Sequence, residues 1–495
     1  MHDSSIGQGA APVPLQEATP VLVLDLDGTL SRSDTLHEAL FTMIAAFPPV
    51  LLRMLRWLFR GKAAFKRRVA DMCVVPGEGL PLNEEVLDLA RKAHAEGRRV
   101  ALVSASDQRQ VNAVARHVGL FDDVIGTGAE VSTGRNLGGK AKAAFLQERY
   151  GEKGFDYVGD AKVDLPVWAA ARRAITVGAG PALRRAAEAA NPDTVHIAPP
   201  PGLLGTLRTY LRAMRPHQWS KNLLVFLPIL SAHELNEFGA AVAAFVAFSL
   251  TASSVYLLND LVDLQADRAH PRKRLRPFAS GALPIMHGFG LAIALLVLAV
   301  AISLAFTPPA FIGALACYYV VTFAYSLWLK RMLIIDVLTL ATLYTARIIA
   351  GAVATTMWLS PWMLGFSMFI FLSLAAVKRQ AELTDQLRGG REKSIGRAYE
   401  VDDLPVLRGI ALSAGYAAVL VFALYISSPG IKALYGDPRF LWLICPLLLY
   451  WISRMVMMTH RGFMTDDPIV YAASDRVSQV VILLCLAIVL VSGSL

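Results

Sequence analysis

The sequence predicts two parts of different fold class: an α/β domain with a parallel sheet and a small helical cap, then an all-α membrane domain of about nine transmembrane helices. The chain has 495 residues, too many for one ordinary core. It is 55% hydrophobic, above the roughly 45–50% of soluble proteins. Charged and apolar residues are mixed up to Pro201, whereas apolar stretches of about 17–25 residues recur from Leu223 onward, as membrane helices require.

The charge and cysteine content exclude several classes of function. A net charge of +9 is expected of a polytopic protein, because its cytoplasmic loops carry an excess of Lys and Arg. No basic face with interleaved aromatic residues appears, so nucleic acid is not an expected partner. The four cysteines are too scattered for a metal or redox site. Residues 1–19 lack the pattern of a signal peptide, and we expect a disordered leader before a domain that stays in the cytoplasm.

Polar side chains follow three strand-like segments of the predicted N-terminal domain, which covers residues 20–195. Asp25 and Asp27 come directly after the apolar run Val21–Leu24, and later segments end at Ser104 and Asp160. In open α/β sheets, ligands bind beyond the carboxyl ends of the strands. We therefore expect these side chains to meet in one site.

The residue types suit phosphoryl transfer. A carboxylate such as Asp25 can attack a phosphoryl group, and Asp27, two residues on, can protonate the leaving oxygen. Asp160 would complete an oxygen site for Mg²⁺, while a Ser hydroxyl and a Lys ammonium hold the phosphoryl oxygens. A magnesium-dependent phosphatase is the predicted activity of this domain.

These motifs resemble the haloacid dehalogenase (HAD) superfamily over nearly the whole domain. DLDGTL matches its first motif, VSAS its second, NLGGKAK its third and GDAKVD its fourth. The resemblance implies Asp25 as nucleophile, Asp27 as acid and base, Ser104 as a phosphoryl ligand, and one Mg²⁺. In the third motif, the spacing from Asn136 and Gly139 favours Lys142, with Lys140 as the alternative. The residues implied as the metal site are Asp25, Asp27, Asp160 and Asp164.

By position, residues 35–95 correspond to the cap that HAD enzymes insert after the first motif, and caps select the substrate. Two interpretations of its basic residues stay open: a solvated helical face, or a face against anionic lipid headgroups. These residues are Arg53, Arg56, Arg60, Lys66, Arg67 and Arg68.

A helix-breaking stretch from Asn191 to Gly202 marks the domain boundary. We expect residues 196–221 to form a linker and an interfacial helix, and residues 222–495 to form the membrane domain. Lys and Arg concentrate after the second, fourth and sixth predicted spans, which places these loops and the N-terminal domain on the cytoplasmic side of the inner membrane. The predicted spans are 222–236, 239–258, 284–306, 309–329, 332–352, 361–378, 405–427, 439–458 and 476–494.

The loop after the second span carries the motif NDLVDLQAD, which begins at Asn259. Its acids Asp260, Asp263 and Asp267 have helical spacings, so we expect them on one helix face. Like charges stacked at the end of a membrane span are costly, and Mg²⁺ bound to a diphosphate is the simplest compensation. Basic residues that follow at once suggest an anionic substrate between the two groups. These are Arg268, Arg274 and Arg276 among others.

The membrane half resembles the UbiA superfamily of intramembrane prenyltransferases over residues 205–495, since NDLVDLQAD matches its NDxxDxxxD diphosphate motif. RPHQWSKN, YSLWLKR, ARIIAGAVAT, KRQAEL and DDPIVYAASDRV carry a closer likeness to the decaprenyl-phosphate phosphoribosyltransferase branch. In that branch, a polyprenyl phosphate attacks C1 of phosphoribosyl pyrophosphate, and Mg-pyrophosphate leaves. The likeness implies one or more Mg²⁺ at Asp260, Asp263 and Asp267, and suggests a homo-oligomer. The substrate-binding residues predicted are Lys221, Asn222, Asn259, Arg268, Arg274, Arg276, Tyr325, Lys330, Arg347, Lys378, Arg379, Glu382, Asp475 and Arg476.

One departure from the superfamily bears on the substrate. Aromatic prenyltransferases carry a second acidic motif after the sixth span, where this sequence has Lys378, Arg379 and Glu382. A basic pair beside one carboxylate suits an additional phosphate, such as the 5-phosphate of a ribose donor. The alternative is that Lys378 and Arg379 only anchor the span on its positive side.

Three functions follow for the whole chain. The leading one is phosphoribosyl transfer to a polyprenyl phosphate, after which the HAD domain removes the 5-phosphate of the product. The second is prenyl transfer from a polyprenyl diphosphate to an aromatic or quinone acceptor, with an unrelated HAD phosphatase. The third is a HAD phosphatase on an inactive membrane scaffold.

Overall fold

The computed structural model describes residues 19–47, 49–59, 62–128, 137–200, 202–232, 236–388, 398–428, 431, 435, 437–464 and 467–494. The chain divides into two compact units. The N-terminal unit comprises Met1–Thr209 and Val262–Met286, and the helical unit comprises Tyr210–Leu261 and His287–Leu495. The segment Val262–Met286, which the sequence assigned to the membrane domain, thus groups with the N-terminal domain. Residues 1–18 of the predicted leader lie outside the described residues, and so do Arg60 and Asn136.

The N-terminal unit is built on a six-stranded sheet with the order β3-β2-β1-β4-β5-β6, and every pairing is parallel. Both faces of β1 are buried, which explains its continuous apolar run. Leu22 and Leu24 pack into the core on one face, and Val21 and Val23 into the core on the other. The strands are β1 (Val21–Leu24), β2 (Val100–Asp107), β3 (Asp123–Thr127), β4 (Phe155–Gly159), β5 (Ala174–Val177) and β6 (Thr194–Ile197).

Helices cover both faces of this sheet, as the alternation of strands and helices predicts. The predicted cap region contains α1 to α4. Both α3 and α4 pack with β2, and Met43 of α1, Val69 of α3 and Val86 of α4 join the same apolar core. The helices are α1 (Thr35–Ala46), α2 (Val50–Leu58), α3 (Lys62–Met72), α4 (Glu84–Ala95), α5 (Gln108–Val118), α6 (Lys140–Tyr150), α7 (Leu165–Ala170) and α8 (Pro181–Ala190).

The rest of the chain is helical. After α9 a 3-10 helix runs over Pro216–Phe226, and further 3-10 turns precede several of the long helices. The helices are α9 (Leu203–Met214), α10 (Leu227–Ala232), α11 (Phe238–Val262), α12 (Leu264–Ala269), α13 (Ile285–Phe306), α14 (Pro309–Leu327), α15 (Ile335–Ala354), α16 (Pro361–Arg388), α17 (Leu404–Ile426), α18 (Ile444–His460), α19 (Pro468–Ser474) and α20 (Arg476–Ser494).

Among the described residues, seven helices are long and apolar enough to cross a membrane, and the bent pair α19 and α20 makes an eighth if it is one span. The protein is therefore a multi-pass membrane protein, but the predicted count of nine is wrong. The predicted span 222–236 is divided between the 3-10 helix and the six-residue α10. Pro228 has no N–H with which to continue a regular helix across this point.

Candidate active sites

The first candidate site lies at the carboxyl edge of the sheet in the N-terminal unit. β1 is hydrogen-bonded to β2 on one side and to β4 on the other, with Leu24 opposite both Leu102 and Val158. Asp25 follows β1 and Asp160 follows β4, while Ser104 lies within β2. The parallel order therefore brings the predicted motif residues together, because neighbouring parallel strands end at the same edge.

Lys142 is the lysine that reaches Asp25. Its Nζ donates to Asp25 Oδ2 at 2.7 Å and to the Tyr157 hydroxyl at 2.9 Å, and its side chain is 2% exposed. The Tyr157 hydroxyl lies 3.2 Å from Asp25 Oδ2, within hydrogen-bond distance, and shares its one proton between Asp25 and Asp164. Lys140, the alternative from the sequence, is exposed on the first turn of α6. Asp25 is thus held in one orientation beside a buried positive charge.

Asp27 is held by the start of α1 and by β2. Its Oδ1 accepts from the backbone N–H of Thr35 at 2.7 Å, and its Oδ2 accepts from the Ser106 hydroxyl at 2.5 Å. Burial and the nearby charge of Asp34 raise the pKa of Asp27 to about 6. A carboxyl group that titrates near neutral pH is suited to act as both acid and base.

Asp160 and Asp164 complete the acidic edge. Asp160 accepts from the Thr29 hydroxyl at 3.0 Å, and a Cβ added to Gly28 would lie 2.2 Å from its Oδ2, so only glycine leaves room for this carboxylate. Asp164 accepts from the Tyr157 hydroxyl at 3.0 Å. Burial and repulsion from Asp164 and Asp25 raise the pKa of Asp160 to about 7, and burial and Asp25 raise that of Asp164.

A buried charge cluster marks a second candidate site, in the helical unit. Asp467, the residue before α19, accepts from Lys221 Nζ at 2.5 Å and from Lys378 Nζ at 3.0 Å. The side chains of Lys221 and Asp467 are 8% and 9% exposed. The Lys221 ammonium also lies over the ring of Tyr344, 5.8 Å from its centroid. One carboxylate thus bridges two ammonium groups from distant parts of the sequence.

Arg347 places a third positive charge beside the cluster at Asp467, because its guanidinium and the Lys221 ammonium both lie over the ring of Tyr344. Its Nε donates to Asn222 Oδ1 at 2.9 Å, and its Nη2 donates to the Tyr318 hydroxyl at 3.1 Å. Its guanidinium carbon lies 5.2–5.7 Å from the ring centroids of Tyr318, Tyr344 and Phe248. Asn222 is fixed by a hydrogen bond from its Nδ2 to Ser249 Oγ at 3.0 Å. Aromatic faces and one amide orient this guanidinium, which has no carboxylate among these contacts.

Arg379 belongs to a separate network. Its guanidinium pairs with Asp336, donates to Tyr325 Oη at 2.8 Å and donates to Glu382 Oε2 at 2.5 Å. Arg379 is 1% exposed and Asp336 0%. Because two carboxylates balance this one guanidinium, the network holds α14, α15 and α16 together. The basic pair predicted at 378 and 379 is therefore divided: Lys378 faces the cluster at Asp467, and Arg379 is neutralised elsewhere.

The comparisons with known proteins agree with the division of the chain into an N-terminal α/β domain and a helical membrane domain. The model of the UbiA prenyltransferase family matches residues 223–473, just over half of the chain. The chain belongs to the UbiA prenyltransferase family. Residues 22–168 match the haloacid dehalogenase-like hydrolase family, so the N-terminal domain is of HAD type. Both are families of magnesium-dependent enzymes, as the sequence predicted.

Three relatives differ in how much of the chain they share. The y4nM protein of Sinorhizobium fredii, described as uncharacterized, is 36% identical over 92% of this chain and 88% of its own length. The nodulation protein NoeC of Azorhizobium caulinodans is 38% identical over 56% of this chain and 90% of its own. The decaprenyl-phosphate phosphoribosyltransferase of Mycolicibacterium smegmatis is 38% identical over 46% of this chain and 73% of its own.

The UbiA acidic motif does not form one continuous helix face. Asp260 lies in the last turn of α11, and Arg215 donates to its Oδ1 at 2.5 Å. α11 ends at Val262, and Asp263 is the N-cap of α12 with φ −89° and ψ 11°, so the helix breaks between the acids. Asp267 lies on α12 and accepts from Arg276 Nη1 at 2.6 Å. Like charges that would repel on one helix are each paired or separated by this break.

The acidic edge of the HAD domain carries carboxylates, the ligand type that Mg²⁺ prefers. Among the described residues, no three His, Cys, Asp or Glu side chains converge closely enough to hold a metal ion as they stand. Asp27 and Asp160 are half-buried and Asp164 is buried at this edge, and all three have raised pKa values, as expected of carboxylates that need a cation. The metal roles predicted for Asp25, Asp27, Asp160, Asp164, Asp260, Asp263 and Asp267 remain predictions.

The other predicted UbiA substrate residues have varied surroundings. Asp475 pairs with Arg454 through two contacts of 2.7 and 3.0 Å. Arg268 donates its guanidinium to Glu38 and to two carbonyl groups, all within the N-terminal unit. Asn259 and Lys330 are half-buried, and Arg274 and Arg476 are exposed.

Several contact residues were not predicted from the sequence. Asp467 and Asp336 bind the predicted basic residues, and Glu38 binds Arg268. In the HAD domain, Tyr157 and Ser106 hold Asp25 and Asp27. Asp336 and Glu38, acids inside apolar helical segments, give a usable signal because such residues need a partner. Tyr157 and Ser106 give none, since neither departs from its local pattern.

Proposed function

We propose that this UbiA-family enzyme transfers a 5-phosphoribosyl group from phosphoribosyl pyrophosphate to a polyprenyl phosphate, and that its HAD domain then removes the 5-phosphate of the lipid product. The observation that carries this proposal is the charge balance of the cluster around Asp467 in the helical unit. Lys221, Lys378 and Arg347 supply three positive charges, against which Asp467 supplies one negative charge. An excess of positive charge around one buried carboxylate calls for an anion, and phosphate monoesters occur on both proposed substrates.

The same cluster argues against the aromatic prenyl transfer that the sequence left open. A second diphosphate-bound Mg²⁺ would need carboxylates near Lys378, and the described contacts of Lys378 include only Asp467, which two ammonium groups share. The likeness to a decaprenyl-phosphate phosphoribosyltransferase supports the phosphoribosyl donor. The bonds exchanged would be simple: a phosphate oxygen of the lipid bonds to C1 of ribose as the C1–pyrophosphate bond breaks.

Different residues of the UbiA half would have different roles in the transfer step. Asp260, Asp263 and Asp267 would hold Mg²⁺, which would offset the charge of the leaving pyrophosphate. Lys221 and Lys378 would bind a phosphate monoester in place of part of their contact with Asp467. Arg347, held by Asn222 and three aromatic rings, would keep its guanidinium in a fixed direction as the negative charge redistributes.

The HAD half has the groups for the second reaction. Asp25, oriented by Lys142 and Tyr157, would attack the phosphorus of the 5-phosphate. Asp27 would protonate the departing ribose oxygen and then take a proton from the water that hydrolyses the acyl-phosphate. Asp160 and Asp164 would hold Mg²⁺, which would neutralise the phosphoryl oxygens during both steps. Ser104, buried on β2, is the remaining candidate for a phosphoryl contact.

A shared chain favours the two reactions in sequence, because tethering raises the effective concentration of one site's product at the other. This requires both sites on one side of the membrane. The segment Val262–Met286 belongs to the same unit as the HAD domain, and it carries Asp263, Asp267 and several Arg residues. Since basic loops stay in the cytoplasm, we propose that the HAD domain and this segment are cytoplasmic and that the membrane is the inner membrane.

One assay separates the candidate functions. Purified protein in lipid nanodiscs would receive phosphoribosyl pyrophosphate labelled in the ribose, decaprenyl phosphate and Mg²⁺, and the lipid fraction would be counted and analysed by mass. We expect a labelled lipid, which carries no 5-phosphate after long incubation. A parallel reaction with a polyprenyl diphosphate and 4-hydroxybenzoate tests the prenyl-transfer alternative. Prenylated acid without labelled lipid would refute the proposal, and neither product alongside phosphatase activity would favour an inactive scaffold.

A further inference from the structure

A buried ion pair joins the HAD domain to the segment that carries the UbiA acidic motif. Glu38 on α1 is 0% exposed, and the Arg268 side chain on α12 is 9% exposed. Arg268 Nη1 and Nη2 donate to the two oxygens of Glu38 at 2.9 and 2.5 Å. Nη1 also donates to the carbonyl of Gly79 at 2.7 Å, and Nε to that of Ala279 at 2.9 Å. Every guanidinium nitrogen therefore has an acceptor.

The chain around this pair is closely fitted. A Cβ added to Gly79 would lie 2.5 Å from Gln265 Oε1 on α12. Gly281, which has φ +72°, would place a Cβ 2.7 Å from Cβ of Arg32. At Gly281 the positive φ and the nearby Cβ of Arg32 favour glycine. At Gly79 the neighbouring atom is the end of the Gln265 side chain, so α12 packs closely against this turn. Such a fit, together with a fully paired buried arginine, is expected of a permanent contact within a domain.

The ion pair lies between residues assigned to the two proposed reactions. On α1, the N–H of Thr35 binds the HAD carboxylate Asp27, and Glu38 follows one turn later. On α12, Arg268 comes directly after Asp267 of the UbiA motif. Since α12 has only six residues and follows the break at Asp263, it has little helical structure of its own to hold Asp267. α12 packs against α1 and against the 3-10 turn at Gly77–Gly79 of the HAD domain, and these contacts add order to it.

We propose that Glu38 and Arg268 are positioning residues, through which the HAD domain holds α12 and presents Asp267 for the transferase reaction. The HAD domain is then a structural part of the transferase as well as a second enzyme. The role of Asp267 in catalysis rests on the proposed function, whereas the positioning of α12 does not. Arg268, which the sequence assigned to substrate binding, acts on the substrate only through Asp267 in this proposal.

Hydrogen exchange of the full chain in nanodiscs tests the positioning directly. The variants are Glu38→Gln, Arg268→Gln and the double variant, in which no unpaired buried charge remains. Breaking a buried ion pair is strongly destabilising, so we expect the amides of 264–283 to exchange about a hundredfold faster or more in each single variant. The double variant should fold and still exchange faster in this segment. Arg91→Gln, which breaks an exposed pair with Asp88, is the matched control and should change nothing there.

Enzyme activity supplies the second readout. We expect the double variant to raise the KM for phosphoribosyl pyrophosphate at least about tenfold, with a smaller change in kcat, because Asp267 is misplaced before the substrate binds. Hydrolysis of p-nitrophenyl phosphate by the HAD site should change less than about twofold. Arg268→Lys keeps the charge with fewer donors, so its KM should lie between those of the wild type and the double variant.

The outcomes separate this inference from the proposed function. Unchanged exchange of 264–283 in all three Gln variants would overturn the positioning role, whatever the transferase does. Faster exchange with wild-type KM would also overturn it, since α12 would then be ordered without consequence. A third outcome is faster exchange in the variants when the wild-type protein transfers no phosphoribosyl group. That outcome would refute the proposed function alone, and the contact between α1 and α12 would stand.

Discussion

Lys142→Gln is the sharpest test of the HAD site, because the chain offers a matched control on the same helix. Lys142 Nζ lies 2.7 Å from Asp25 Oδ2, and the lysine side chain is buried, with 2% of its surface exposed. Gln is of similar length and cannot carry the charge, so the variant leaves Asp25 without a counter-charge beside Asp160 and Asp164. Breaking a buried ion pair by removing one partner costs about 3–5 kcal/mol. If most of this free-energy cost is a loss of transition-state stabilisation, the rate of hydrolysis falls by a factor of roughly 10² to 10³.

The assay is hydrolysis of p-nitrophenyl phosphate with saturating Mg²⁺, and Tm measured on each variant identifies loss of folding. Lys140→Gln is the control, because Lys140 is exposed two residues earlier on α6. We expect the control to keep its activity within about twofold, as exposed charges contribute little. If Lys140→Gln abolished hydrolysis and Lys142→Gln did not, the assignment of the third motif from this geometry would be refuted.

Three further predictions address the coupling of the two halves and the metal. Asp25→Asn should leave lipid labelling intact while the 5-phosphorylated lipid accumulates, because an amide cannot form the acyl-phosphate; unchanged product ratios would show that the two halves do not act in sequence. Asp260→Asn should abolish transfer and spare hydrolysis of p-nitrophenyl phosphate, whereas loss of both activities would indicate misfolding or a shared site. Because the pKa values of Asp27 and Asp160 are raised, the metal-free folded domain binds more protons than the unfolded chain between pH 4 and about 7. The free energy of unfolding of the metal-free domain therefore falls as the pH rises through that window. Mg²⁺ binds the ionised carboxylates, so the rise in Tm on adding Mg²⁺ should be larger at pH 8 than at pH 5; an equal rise at both would contradict the assignment of the cation to this edge.

Much of the HAD domain could be predicted because its signals are local. The apolar run of β1 predicts a strand buried on both faces, and two carboxylates after it predict a ligand edge. The spacing of the third motif even favoured the lysine that contacts Asp25. The same reasoning failed for the first membrane span, where apolar composition suggested a helix and Pro228 with a 3-10 helix interrupts it. The apolar composition of a segment predicts its affinity for lipid, but it does not predict whether the backbone forms one continuous helix.

The sequence by itself determined the two fold classes, the order of the motifs and the types of charged residue at each candidate site. Only the tertiary structure decided which charges meet. Lys378 and Arg379 are adjacent in sequence, yet one shares Asp467 with Lys221 and the other is neutralised by Asp336. Adjacent residues on a helix point in directions about 100° apart, so their partners come from different helices that the local sequence does not specify. For the same reason Arg268, predicted to bind substrate, is paired with Glu38, 230 residues away in the chain.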